Sequence, residues 1–283
     1  MSYHGSIVVQ SLLAGARNCA AESLQPAGVH SHLDTLISLI RRTTGALSVL
    51  VQFEGDAPQP VAIGLDCIEA KLMRGRKRVG MLRAFGQDFA PEVTTLLQDF
   101  ARLIVEQNDL WAQAHLDALT GALTRRAFAD DLERAVASYR RKGADCSLIM
   151  FDLDHFKQVN DTHGHLAGDA VLRAVGRLVK RELRAEDRFG RLGGEEFGVL
   201  VSADVETATE IAERLRLAIS AAVVDGFEDI RFTASMGVAG CDIETDSVMA
   251  LMSKADERLY SAKRNGRNKV CTGPVRHRAM PYN

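Results

Sequence analysis

Arg191-Leu-Gly-Gly-Glu-Glu-Phe197 carries two bare glycines directly ahead of two carboxylates. Its flanks are apolar and alternating, Phe189 before and Phe197-Gly-Val-Leu-Val201 after, which predicts a tight β-hairpin whose glycines supply positive φ. Gly193 and Gly194 also leave the backbone uncovered, so a planar or phosphorylated ligand can approach it closely. Glu195 and Glu196 then stand at the root of the outgoing strand and point to opposite faces. One is available to a cation while the other is aimed elsewhere.

Upstream, Ser147-Leu-Ile-Met-Phe-Asp152-Leu-Asp154 is an apolar run that ends in two carboxylates. The run predicts a buried strand, and alternation places Asp152 and Asp154 on one face where it emerges. An acidic group at a buried strand end is costly unless it is paired or holds a cation. Oxygen-only ligands suit magnesium, which keeps several waters and is completed by substrate phosphates. Asp154 also has a plainer reading, as the cap of a helix predicted over His155-Phe-Lys-Gln-Val-Asn160. Asp152 has none. His163 and His165 have the form of a zinc pair, but oxygen ligands dominate their surroundings and no cysteine is near.

Taken together, Phe151-Asp-Leu-Asp-His-Phe-Lys-Gln-Val-Asn-Asp-Thr-His-Gly-His-Leu-Ala-Gly-Asp169 and Arg191-Leu-Gly-Gly-Glu-Glu-Phe197 resemble the signature of GGDEF-domain diguanylate cyclases. Members of that family condense two GTP molecules into cyclic di-GMP and release two pyrophosphates. The resemblance runs from Asp117 to about Thr272. It opens at Asp117-Ala-Leu-Thr-Gly121 with Arg125-Arg126, and closes at Thr233-Ala-Ser-Met-Gly-Val-Ala239, Ala255-Asp-Glu-Arg-Leu-Tyr-Ser-Ala-Lys263 and Gly266-Arg-Asn268. Thr124 stands where the family usually has Asn, a departure that reads as a surface or capping difference.

The resemblance implies roles. Asp152, the backbone carbonyl of Leu153 and Glu195 would hold two divalent ions in each half-site, magnesium with manganese as an alternative. Glu196 would serve the metal or activate the attacking hydroxyl, and the sequence leaves both roles open. Attack of a ribose 3′-hydroxyl on an α-phosphate is phosphoryl transfer, which positioning and charge neutralisation accelerate. Lys263 and Arg267 would bind the β- and γ-phosphates, the first as a point charge and the second as a fork. Backbone N–H groups at Phe156 and Lys157 would cradle phosphate. Asn160 and Asp169 would read guanine, the carboxylate accepting from N1–H and the exocyclic amine, with Asp169 favouring GTP over ATP. His165 lies in the same segment and is placed to touch substrate. Arg184-Ala-Glu-Asp187 has the RxxD form of the family's inhibitory product site, which Arg214 would complete. An Arg and an Asp three apart on a charged helix end are also common without any ligand.

Length and composition agree with this reading. The 283 residues suffice for two modest domains. Their 46% hydrophobic and 25% charged content is ordinary for a globular protein. A net charge of −2 gives no reason to expect nucleic acid as a partner. Five cysteines, odd in number and without paired spacing, read as free thiols in a reducing compartment. No apolar run reaches the roughly 18 residues of a membrane span and the start lacks a signal-peptide pattern, so a cytoplasmic protein without membrane contact is expected.

The expected fold class is α/β (α+β): a ferredoxin-like nucleotide-cyclase core at 117–273, a smaller GAF-like α/β domain before it and a helical stalk between. Residues 1–30 are expected to be an N-terminal segment with a short helix, and 274–283 a flexible tail. The GAF-like sensor or dimerisation domain, 31–92, combines a helix at His32–Arg42 and strands at Leu47–Phe53, Cys67–Met73 and Arg76–Phe85. His30 and His32 are candidate ligands or caps. From 93 to 116 a three-four spacing, Val93 to Ala114, fits a coiled-coil linker. Each family domain binds one GTP and two must face each other, so a homodimer follows from the resemblance. The alternatives are a non-catalytic cyclic di-GMP receptor and a different magnesium-dependent nucleotidyl enzyme.

Overall fold

A computed structural model describes residues 31–56, 64–242 and 245–273. The N-terminal segment, the C-terminal tail and His30 lie outside the described residues. The chain divides between Ala112 and Gln113 into two compact units.

In the first unit, helix α1 (Asp34–Thr44) ends at Gly45, whose φ of 72° closes it with a left-handed residue. Three antiparallel strands follow, β1 (Ser48–Phe53), β2 (Asp66–Arg74) and β3 (Lys77–Gly86), in the order β1-β3-β2. Val51 and Ala70 both pair with Leu82 of the central strand. The core behind them holds Leu33, Ile40, Leu72 and Ala84. Helix α2 (Glu92–His115) contributes Leu97, Phe100 and Ile104 to the same core. Its opposite side leaves Leu103 and Leu110 exposed, at 48% and 62%. His32 stacks on Trp111, 4.5 Å between ring centroids, and meets Asn108 Oδ1 at 3.2 Å, so its ring belongs to the packing of α2.

The second unit is built on strands β4 (Ser147–Leu153), β5 (Arg188–Arg191), β6 (Glu196–Val201), β7 (Ala234–Gly240) and β8 (Val270–Thr272). Their order is β5-β6-β4-β7-β8, antiparallel except for the parallel pair β7 and β8. Two helices, α5 (His165–Glu182) and α6 (Val205–Ser220), complete the β-α-β-β-α-β order of a ferredoxin-like core, with β8 added at one edge. Helix α4 (Phe156–His163) is inserted ahead of α5, while α3 (Arg125–Lys142) and α7 (Val248–Arg264) flank the core in sequence.

Alternation along β4 divides two cores. Ile149, Phe151 and Leu153 face α5 and α6, and Leu148 and Met150 face α3 and α7. Asp152 falls on the second face, at the end where the strand leaves the sheet. Helix α7 approaches β7 closely because Gly237 has no side chain: a Cβ there would run into the backbone at Ala255 and Leu259. The hairpin β5–β6 is seated in the same manner, since the cross-strand pair Gly190 and Gly198 makes room for the ring of Phe128 on α3.

Candidate active site

The open end of β4 gathers the acidic residues. Asp152 pairs across the sheet with Glu196, the first residue of β6, and the Leu153 N–H donates to the Glu195 carbonyl at 3.3 Å. Asp152 is buried, and Lys263 Nζ from the last turn of α7 stands 2.8 Å from its Oδ2. Burial raises the Asp152 carboxyl, the Lys263 ammonium pulls it down, and the Glu195 and Glu196 charges push it up again, for a net upward shift. A cation arriving here would relieve the same repulsion. Among the described residues no three His, Cys, Asp or Glu side chains stand together as a ready metal cage. Carboxylates at the lip of a sheet, with no nitrogen or sulfur donor, fit a hydrated magnesium whose coordination substrate phosphates complete.

The glycines of the hairpin work differently from the expectation. Four residues, Leu192 to Glu195, connect β5 to β6, and neither Gly193 nor Gly194 has a positive φ. The turn is held instead from inside by Arg191, whose Nε donates to the carbonyls of Gly193 (3.2 Å) and Gly194 (3.0 Å). The same guanidinium donates to Asp117 through Nη1, at 3.0 and 3.2 Å. A Cβ at Gly193 would come within 2.9 Å of the mobile end of the Glu196 side chain, and Gly194 faces open space. Asp117 also accepts from the Thr120 N–H and hydroxyl, at 2.9 and 2.6 Å, so the opening and hairpin motifs form one cluster.

Asp154 is not the helix cap that its position suggested. The N-cap of α4 is His155, at φ 58° and without a side-chain cap bond. Asp154 instead accepts from Thr233 Oγ1 (2.6 Å), Ser235 Oγ (2.7 Å) and the Asn268 N–H (3.0 Å). These partners are 79 or more residues away in sequence, and no local pattern announces them.

At the start of α4, the N–H groups of Phe156 and Lys157 precede the first intrahelical donors, Gln158 and Val159, which reach the His155 carbonyl. The Phe156 ring is buried in the core, so only its backbone can meet a ligand, while Lys157 is exposed. Asn160, on α4, lies against the first turn of α5, which carries Asp169. Gly164 (φ 82°) turns the α4–α5 corner, and Gly168 leaves the space that the Asn160 amide oxygen fills. Asp169 lies 3.8 Å from Arg173, and His163 and His165 are exposed. Arg267 is exposed on the turn after α7, with φ 57°. Arg184, Asp187 and Arg214 lie elsewhere on the same unit. The Asp187 carboxylate accepts from the Arg184 N–H (3.0 Å), and Arg214 donates to the Glu182 carbonyl (2.9 Å). Burial raises Asp187 against the pull of that N–H.

The profile of the family described as diguanylate cyclase, GGDEF domain, matches residues 114–269. The chain belongs to the GGDEF-domain family. It is 37% identical over 186 residues to diguanylate cyclase DgcP of Pseudomonas aeruginosa, across 65% of this chain and 28% of that protein. Against diguanylate cyclase DgcS of Shewanella oneidensis it is 35% identical over 177 residues, across 62% of this chain and 59% of the relative. The chain thus spans less than two thirds of these relatives' length. Among solved structures, the GGDEF domain of DgcB from Caulobacter crescentus, in complex with c-di-GMP, is similar with a TM-score of 0.53 at 34% identity. That match covers 56% of this chain and 95% of the other. The matched residues 114–269 include the strand ends, hairpin and helix termini described above. Among the described residues, no helix is long and apolar enough to cross a membrane.

Proposed function

We propose that this GGDEF-domain chain is a diguanylate cyclase, joining two GTP molecules into cyclic di-GMP with loss of two pyrophosphates. The observation that carries the reading is the acidic lip at Asp152, Glu195 and Glu196 with Lys263 at 2.8 Å, inside a matched family region. Asp152, the Leu153 carbonyl and Glu195 would hold a divalent cation, magnesium by the oxygen-only chemistry of the set. When bound, that ion neutralises phosphate charge and stabilises the attacking and leaving oxygens.

The chain's own residues supply the rest. Lys263 and Arg267 present a point charge and a fork to the β- and γ-phosphates. The free N–H groups at the start of α4 face the same anion. Asn160, packed against Gly168, and Asp169, the next residue of α5, would offer an amide and a carboxylate to the guanine edge. Glu196 is exposed at the root of β6, where a carboxylate can accept the proton of an attacking 3′-hydroxyl.

Regulation belongs to the same proposal. One domain holds one GTP, so activity requires a facing pair, and residues 31–92 with the helix beyond them form a GAF-like sensing or dimerisation element. Arg184, Asp187 and Arg214 form a product-inhibition site; its support is the exposed Arg184 guanidinium beside a turn fixed by Asp187. The experiment is GTP turnover with magnesium, cyclic di-GMP being followed by chromatography, beside a Glu196→Gln control. Product from the wild type alone supports the cyclase. Absence of product together with tight cyclic di-GMP binding would move the chain to a receptor role.

A further inference from the structure

The turn that follows α7 is an unusual piece of backbone. Gly266, Arg267 and Asn268 have φ values of 101°, 57° and 46° in succession. Left-handed conformations at non-glycine residues are disfavoured and persist only where surrounding structure fixes them. Arg267 is one of the two such residues, and its guanidinium is exposed.

Three contacts fix this turn. The Arg267 N–H donates to the Ala262 carbonyl at 3.0 Å, inside the end of α7. The Asn268 N–H donates to Asp154 Oδ2 at 3.0 Å, and Asn268 Oδ1 accepts from Arg216 Nη1 of α6 at 2.9 Å. Arg216 is itself held by Glu213 at 2.7 Å. Asp154 in turn is 5% exposed and takes hydroxyl donors from Thr233 and Ser235. Its own N–H donates to the Thr233 carbonyl at 2.8 Å, which roots it at the entry to β7. The carboxylate thus accepts three donors from two distant segments, Oδ2 from Thr233 and Asn268 and Oδ1 from Ser235.

We propose that Asp154, assisted from outside by Arg216, is a positioning residue for Arg267. It locks the left-handed turn so that the guanidinium is presented to the β- and γ-phosphates of a bound nucleoside triphosphate. Asp154 itself touches neither nucleotide nor cation. The inference rests on the reading that Arg267 binds those phosphates. It separates the two aspartates of the strand end: Asp152 acts at the cleft, and Asp154 acts through the turn.

A mere brace of the sheet would lose stability without caring which nucleotide is bound, so ligand choice is the discriminating measurement. Binding of GTP and of GMP, which lacks the β- and γ-phosphates, is titrated with magnesium on the full chain. Asp154→Ala should weaken GTP about tenfold, the size of one lost charge-assisted contact, and leave GMP unchanged. Asp154→Asn should recover part of the loss, because its amide oxygen can still accept from Asn268 while Ser235 turns to accept from the amide. In an Arg267→Ala background the Asp154→Ala penalty on GTP should vanish. Should Asp154→Ala fail to fold, Asp154→Asn carries the test alone, with GTP weakened in part and GMP unaffected. Equal weakening of both nucleotides, or a penalty that persists without Arg267, overturns the proposal. Failure of the wild type to convert GTP would instead strike the cyclase reading, and the GTP–GMP comparison would still decide the role of Asp154.

Discussion

Asp117 links two motifs that lie 74 residues apart, through its ion pair with Arg191. Burial alone would raise its carboxyl, but hydrogen bonds from Thr120 and Arg191 outweigh burial and hold it below the ordinary value. A depressed folded value adds stability above the unfolded carboxylate range of about 4, lost as pH falls through the folded value. The melting temperature of the second unit should therefore drop on acidification below about pH 4, the clamp contributing to the slope. Asp117→Asn should flatten that acid slope and cost roughly 1–3 kcal/mol at neutral pH, read by denaturant titration at several pH values. An unchanged acid slope in the variant would mean that other carboxylates govern it. Lys263 offers a second test at this scale. Replacing it by Met should lower kcat/KM for GTP by about 100-fold, as loss of a charge at a transferring phosphoryl group does, and should lower the melting temperature too, because Asp152 loses its ammonium partner. A near-wild-type rate would remove Lys263 from the site.

Elements were legible where a local period carries the signal. The apolar run at Ser147–Leu153, the helical spacing of His32–Arg42 and the strand after the hairpin fix their own structure, and each appears as expected. Contacts between distant segments were not legible. Nothing beside Gly190 and Gly198 shows that Phe128 will sit on them, and nothing beside Asp154 names Thr233 or Asn268. The positive φ expected of the hairpin glycines is absent, and the Arg191 bonds that hold their carbonyls come from a side chain whose role no local pattern announces. Two predictions belong to elements. Thr124 is the N-cap of α3, accepting from the Ala127 N–H, so Thr124→Asn should change stability by no more than about 0.5 kcal/mol and Thr124→Ala should cost about 1 kcal/mol. A larger penalty for Asn than for Ala in denaturant melts would refute the capping role. Gly237→Ala must push α7 off β7, at a cost of about 3 kcal/mol, and should lower turnover further by displacing Lys263 from Asp152. Full activity in a folded Gly237→Ala protein would show that the helix tolerates the shift.

At the scale of the whole molecule, the proposed cyclase reading makes a domain with one bound nucleotide half of an active site, so some other part of the chain would bring two halves together. Helix α2 has the form for it. Val93, Leu97, Phe100 and Ile104 are consumed by the core of the first unit, yet Leu103 and Leu110 remain exposed seven residues apart, in line with the partly buried Leu96. Leucines at that interval on one side of a helix are the seam of a two-helix coil. Exposure alone does not establish pairing, since single apolar residues on surfaces are common. Coupling to activity supplies the stronger criterion: proximity of two bound GTP molecules converts a bimolecular encounter into an organised one. Specific activity should therefore rise with protein concentration across the range in which sedimentation shows self-association. Leu103→Lys with Leu110→Lys should shift both curves to higher concentration together, while circular dichroism and GTP binding by each chain stay unchanged. Turnover per chain that stays constant through the association range would place dimerisation outside the reaction and leave the leucine line as ordinary surface.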